Sequence, residues 1–170
     1  MWWAILILAS SVLAPLSCDF IYARKVNAAI REDESSLEFN DRGIVRGGEP
    51  FHHMGKEPAC LLIHGFRGSP RVFQGISNHL KAADISFDAI LLPGHGRRLR
   101  DLAETGWQDW SAAVESAYLK MKERHGRVVV IGFSLGGLLG LKLASQHQVE
   151  ALVVLSPFFR VNRARAGFIP

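Results

Sequence analysis

The sequence predicts an α/β domain, with a parallel sheet covered by helices on both faces. Short apolar runs of β type recur at 59–63, 86–92, 127–132 and 150–156. They are continuous rather than alternating, the pattern of strands buried on both sides. The intervals between them place apolar residues three or four apart, as amphipathic helices do. Strands alternating with helices fold into a parallel sheet joined by crossovers.

The elements follow in order. "MWWAILILASSVLAPLSC" opens the chain, and residues 1–23 are expected to form a signal peptide or membrane anchor. The run spans a bilayer comfortably only if it extends to Tyr22. Arg24 and Lys25 follow it, which favours an anchor whose C-terminal side faces the cytoplasm. "APLSC" instead resembles the cleavage region of a bacterial lipoprotein signal, with Cys18 as lipid acceptor. A buried apolar helix is the third reading. The expected location is membrane-associated or exported, with the side of the membrane undecided.

Residues 24–55 read as a polar linker, with "REDESS" (31–36) solvated, and residues 56–170 as the α/β domain. After the strand "ACLLI", Ser69 can cap a helix and Pro70 can take its first position. Val72, Phe73, Ile76 and Leu80 are expected along its buried face. The strand "SFDAILL" precedes a second helix, in which Trp107, Trp110, Val114, Ala117, Tyr118 and Met121 read as core. The strand "RVVVIG" runs into a third helix, "LGGLLGLKLASQ", and "EALVVLS" is the last strand.

Composition excludes several classes. Length suits one domain, and 48% hydrophobic with 21% charged residues is ordinary for a globular protein. The net charge of +4 is modest, and "RRLR" (97–100) and "RVNRAR" (160–165) lack interleaved aromatics. Nucleic acid is therefore not an expected partner. Cys18 and Cys60 lie in different contexts and imply no disulfide framework.

The chemistry is concentrated at "VIGFSLGGLLG" (130–140). A Gly-x-Ser-x-Gly arises by chance in roughly one chain of this length in twenty. Its position between a buried strand and a buried helix makes it specific. A turn that tight strains the serine backbone and lifts Oγ of Ser134 off the carboxyl edge of the sheet. Side chains at Gly132 and Gly136 would collide with neighbouring backbone. Amide groups opening the next helix face a developing anion. The alternative is a close-packing turn with an idle serine.

Acyl transfer needs two backbone N–H donors at the tetrahedral oxyanion. Leu135, just after the serine, is one expected donor. Phe66, in the loop closing "LLIHGFRGSP" (61–70), is the other, which leaves its ring free to line an acyl pocket. His64 is a conceivable general base, but two positions before the donor it reads better as a loop-ordering group.

Together "GGEPFHHMG", "LLIHGFRGSP", "LLPGHGRRLRDLAETGWQDW" and "GFSLGG" resemble the α/β-hydrolase superfamily. The likeness narrows to bacterial carboxylesterases and monoacylglycerol lipases, a group that shares a domain type with serine aminopeptidases. It covers about Gly47 to Pro157. The resemblance implies Ser134 as nucleophile, Phe66 and Leu135 as oxyanion-hole amides, and His95 as structural or pocket-lining. It also implies an ester or monoglyceride substrate, and no metal or organic cofactor. Membrane contact would come through the N-terminal apolar segment.

In that fold the triad runs Ser, then Asp or Glu, then His. Beyond Ser134 this sequence offers only Glu150, at the start of a strand, and His147, near the end of a helix. Neither suits the role. The chain therefore reads as the N-terminal half of a serine hydrolase, truncated after the strand that follows the serine helix, with an exposed sheet edge and little turnover alone. The competing reading is a non-catalytic binding or interaction module that keeps part of the fold. A separate chain supplying the acid and histidine is a third.

Overall fold

The computed structural model describes residues 22–157. Expectations placed on the apolar N-terminus and on "FFRVNRARAGFIP" lie outside the described residues. The chain divides into two units, Met1–Glu38 and Phe39–Pro170.

In the first unit, residues 22–35 form a helix, α1, exposed along most of its length. The hydroxyls of Ser35 and Ser36 donate to the carbonyls of Glu32 and Asp33 at its end. "REDESS" is solvated as expected, but it is mostly the last turn of a helix rather than open chain.

The second unit carries a five-stranded sheet: β1 Phe51–His53, β2 Lys56–Ile63, β3 Ile85–Ile90, β4 Val128–Phe133 and β5 Ala151–Leu155. Spatial order is β1-β3-β2-β4-β5. All neighbours are parallel except β1, which runs antiparallel to β3. The four expected strands are present within one to three residues. β1 is an addition, since it falls in the stretch read as linker. Three residues are too few to show a period, and β1 is held by its pairing and by Phe51 packing edge-on against Phe87.

The helices are α2 Gln74–Ala82, α3 Leu99–Ala103, α4 Trp107–His125 and α5 Leu135–Gln146, with a 3₁₀ turn at Pro70–Phe73. β2 divides its side chains between two cores, which explains its unbroken apolar run. Ala59, Leu61 and Ile63 face a cluster built by α4 and α5, including Val114, Tyr118, Met121 and Leu139. Cys60 and Leu62 face the other, with Phe73, Phe87 and Ala89. Helices therefore cover both faces.

Two expectations of burial are corrected. Val72 and Ile76 are exposed, while Phe73 and Ser77 turn inward. The 3₁₀ turn at Pro70 advances the chain three residues per turn, so the 3.6-residue phase read from the sequence does not hold there. Trp107 is 55% exposed because it opens α4, before the helix reaches the core. Lys142 lies over its ring, 5.9 Å from the centroid.

Candidate active site

Ser134 stands between the last residue of β4 and the first of α5. Its φ of 52° and ψ of −114° place a non-glycine residue in the left-handed region, at a cost of about 1–3 kcal/mol. Register holds it there. Gly132 pairs with Ile63 on one side and Val154 on the other, and Ser134 N–H donates to Leu155 O at 2.8 Å.

The glycines are sterically required. A Cβ on Gly136 would stand inside the carbonyls of Ile63 and His64, and one on Gly132 would strike the backbone of Gly136 and Gly137. Close approach is what seats the first turn of α5 on the end of β2. The loop after β2 comes equally near, since a Cβ on Gly65 would lie 3.2 Å from Cβ of Ser134.

That loop brings Phe66 to the serine, and Leu135 begins α5. The first amide groups of a helix have no intrahelical acceptor, and in this turn backbone bonding to Ser134 O begins with Gly137 N–H at 3.0 Å. The Phe66 ring is 55% exposed and touches His95 edge-on, with centroids 5.9 Å apart. Trp110 lies 6.0 Å away on the same side. Ser134, helix-opening amide groups and an aromatic wall are thus gathered at the carboxyl edge.

His64 is fully buried and both its nitrogens are engaged. Leu92 N–H donates to Nε2 at 3.1 Å, so the proton sits on Nδ1, which donates to Gly65 O at 2.8 Å. The ring ties the loop after β2 to the loop after β3. Burial pushes its pKa down to about 4, with the neighbouring His95 adding to the effect and the Gly65 bond opposing it. It is a neutral strut and cannot deprotonate Ser134. His95 is buried too, and its Nδ1–H donates to Pro93 O at 3.0 Å. Its Nε2 has no partner among the described residues, and burial lowers its pKa.

The two later candidates sit elsewhere. His147 follows α5, about 18 Å of helix from Ser134, and its Nε2 meets Glu115 Oε1 at 2.6 Å. Glu150 precedes β5 and pairs with Arg127 at 2.7 Å, at the amino edge. The structure thus brings Ser134, Gly132, Gly136, Leu135 and Phe66 together, and leaves His147 and Glu150 apart from them. Sequence reading missed the Trp110 bridge: its Nε1–H is shared between Pro93 O and Thr105 Oγ1, each at 3.1 Å, which steadies the loop holding His95. The only signal for it was a tryptophan within reach of a proline–glycine loop.

A strained serine between required glycines, at the carboxyl edge of a parallel sheet, has the geometry of a nucleophile elbow. The model of the "Alpha/beta hydrolase family" matches residues 60–170, and the chain belongs to that family. It is 35% identical over 104 residues to a thermostable monoacylglycerol lipase of Bacillus sp., covering 61% of this chain and 42% of that protein. It is 31% identical over 106 residues to a carboxylesterase of Bacillus subtilis, covering 62% and 43%. Among solved structures it is similar to one from the metagenome-derived lipolytic enzymes LipS and LipT (TM-score 0.68, 26% identity, 75% of this chain and 54% of that one). The chain thus spans less than half the length of these two curated relatives. No helix among the described residues is long and apolar enough to cross a membrane.

Proposed function

We propose that this chain carries the nucleophile half of a serine hydrolase of carboxylic esters, of carboxylesterase or monoacylglycerol lipase type. Ser134 Oγ attacks the ester carbonyl, and the Phe66 and Leu135 amides stabilise the oxyanion. The alcohol leaves and an acyl-enzyme remains, which water then hydrolyses. The observation that carries this reading is the left-handed backbone of Ser134, held where glycine would be cheaper. Arg67, Asp84 and Ser156 share a positive φ, but only Ser134 combines it with flanking glycines that backbone contacts require, between a strand and a helix.

His64 is locked, and His147 and Glu150 are engaged at a distance, so none of these three serves as the general base or its orienting acid. Ser134 then keeps a neutral hydroxyl, and only the oxyanion-hole and binding contributions remain. Release of p-nitrophenol from p-nitrophenyl butyrate by the purified chain should be slow. Turnover at an ordinary esterase rate, abolished by Ser134→Ala, would overturn the incomplete-triad part. The N-terminal apolar run supports membrane-associated or exported placement as part of the same proposal. The second reading, a non-catalytic interaction module, draws on β5, which pairs only with β4 among the described residues.

A further inference from the structure

Three loops interlock at the carboxyl edge around Ser134: 40–48, 65–71 and 94–100. Val45 N–H donates to Gly96 O at 2.8 Å, and Arg97 Nη1 donates to Arg42 O at 2.8 Å. Gly48 lies against Ser69, and Gly47 against the Arg71 side chain. The loops carry Arg42, Arg46, Arg67, Arg71, Arg97 and Arg98, with Arg100 at their end, and all are exposed. Within them the one carboxylate is Asp41. Glu49 and Asp101 flank the rim, the first accepting from Asn40 at 2.8 Å and the second 3.6 Å from Arg100.

Arg46 lies near Glu49, and Arg98 lies over the Phe39 ring, 5.3 Å from its centroid. Three cations elsewhere form direct ion pairs. Lys56 pairs with Asp84, Arg124 with Asp88 and Arg127 with Glu150. The rim gathers seven exposed arginines from three loops, and every one of its cations is arginine, whose planar fork suits phosphate. Apolar side chains accompany it. Phe66 is 55% exposed, Val72 50% and Ile76 36%, and the last two are one helical turn apart directly after Arg71. A site for small soluble anions would not need exposed apolar residues. A basic rim with aromatic and aliphatic projections is the composition of a surface that rests in a headgroup layer.

We propose that this rim docks the protein on an anionic lipid surface. Its guanidinium groups meet headgroup phosphates, and Phe66, Val72 and Ile76 enter the interface beside the mouth over Ser134. An apolar ester then reaches the serine without crossing bulk water. Vesicle binding requires no turnover, so failure of this inference and failure of the ester-hydrolase reading are separable.

The test is partitioning of the full chain onto vesicles of phosphatidylcholine alone and of phosphatidylcholine with about one-third phosphatidylglycerol. The readout is the ratio of the two partition coefficients, so a contribution from the apolar N-terminal run, common to both vesicles, cancels. Each basic group near an anionic leaflet strengthens binding by about fivefold. Reversing Arg71→Glu and Arg100→Glu together should therefore reduce the ratio about twentyfold or more, whereas Lys120→Glu on α4 should change it little. Val72→Ser with Ile76→Ser should weaken binding to both vesicle types. A ratio near one for the natural chain, or an equal loss in the Lys120 variant, would overturn the proposal. So would binding that a soluble polyanion abolishes and the Val72/Ile76 variant leaves unchanged, which would make the rim a site for soluble anions.

Discussion

The two edges of the sheet are built to different standards. At the amino edge charges are matched in short pairs, Arg127 with Glu150 at 2.7 Å and Lys56 with Asp84 at 3.4 Å, and His147 finds Glu115 at 2.6 Å. At the carboxyl edge Ser134 and Arg67 adopt left-handed backbone, His95 buries an unpartnered nitrogen, and arginines crowd one rim. Stability alone selects against each of these features. Single instances recur at the amino edge, where Asp84 has a φ of 55° and His53 buries an Nε2 without a hydrogen bond. The serine turn and the arginine rim, however, belong to the edge where ligands bind in open α/β sheets.

The contrast can be broken most severely at Gly136. Its Cβ would enter the carbonyls of Ile63 and His64, both fixed in or beside β2. Gly136→Ala should cost more than about 4 kcal/mol in denaturant unfolding, or prevent folding. Removal of a charge at the other edge, as in Arg127→Ala, should leave the midpoint nearly unchanged. Equal effects of the two changes would erase the distinction.

Next in size is a pH effect. The pKa of His64 falls from an ordinary 6.5 to about 4 in the folded chain, so the unfolded chain binds the proton more readily. Stability is then full above about 6.5 and declines as pH falls toward 4, by on the order of 3 kcal/mol from this group. His95, lowered in the same direction, adds to the slope. Urea midpoints measured between these pH values should fall, and His64→Gln should flatten the curve while lowering stability at neutral pH, since it disturbs two buried hydrogen bonds. A flat profile in the natural chain would contradict the neutral strut.

The smallest effect belongs to the amino edge. The Arg127 guanidinium, by hydrogen bond and then by charge, holds the Glu150 carboxyl below its usual range. Its contribution is present above the ordinary carboxylate pKa and is lost as pH falls through the lowered one. The pair is exposed, so salt should screen it. Glu150→Gln should produce a slight change in unfolding midpoint at low ionic strength and none in high salt.

Much of this was legible beforehand. The runs "ACLLI" and "RVVVIG" declared parallel strands because each must satisfy two cores, and β2 does so residue by residue. The serine turn was legible because its glycines answer to backbone contacts that any such turn makes. Local departures from period were not. The 3₁₀ turn at Pro70 rotated Val72 and Ile76 outward, and β1 owes its existence to a distant partner, β3. The double anchoring of His64 between two loops depends on residues 28 apart, Leu92 and His64, which no local pattern announces.

The most direct measurement is mass-spectrometric mapping of a fluorophosphonate reacted with the full chain, with and without added imidazole. If Ser134 is a nucleophile set in its elbow without a base, slow phosphonylation should fall on Ser134 alone. Imidazole, acting as the general base, should accelerate it at least tenfold, toward the roughly 10²–10⁴ that such a base contributes. Ser134→Ala should abolish it. Modification spread over other serines, or a Ser134 rate that imidazole leaves unchanged, would contradict the reading.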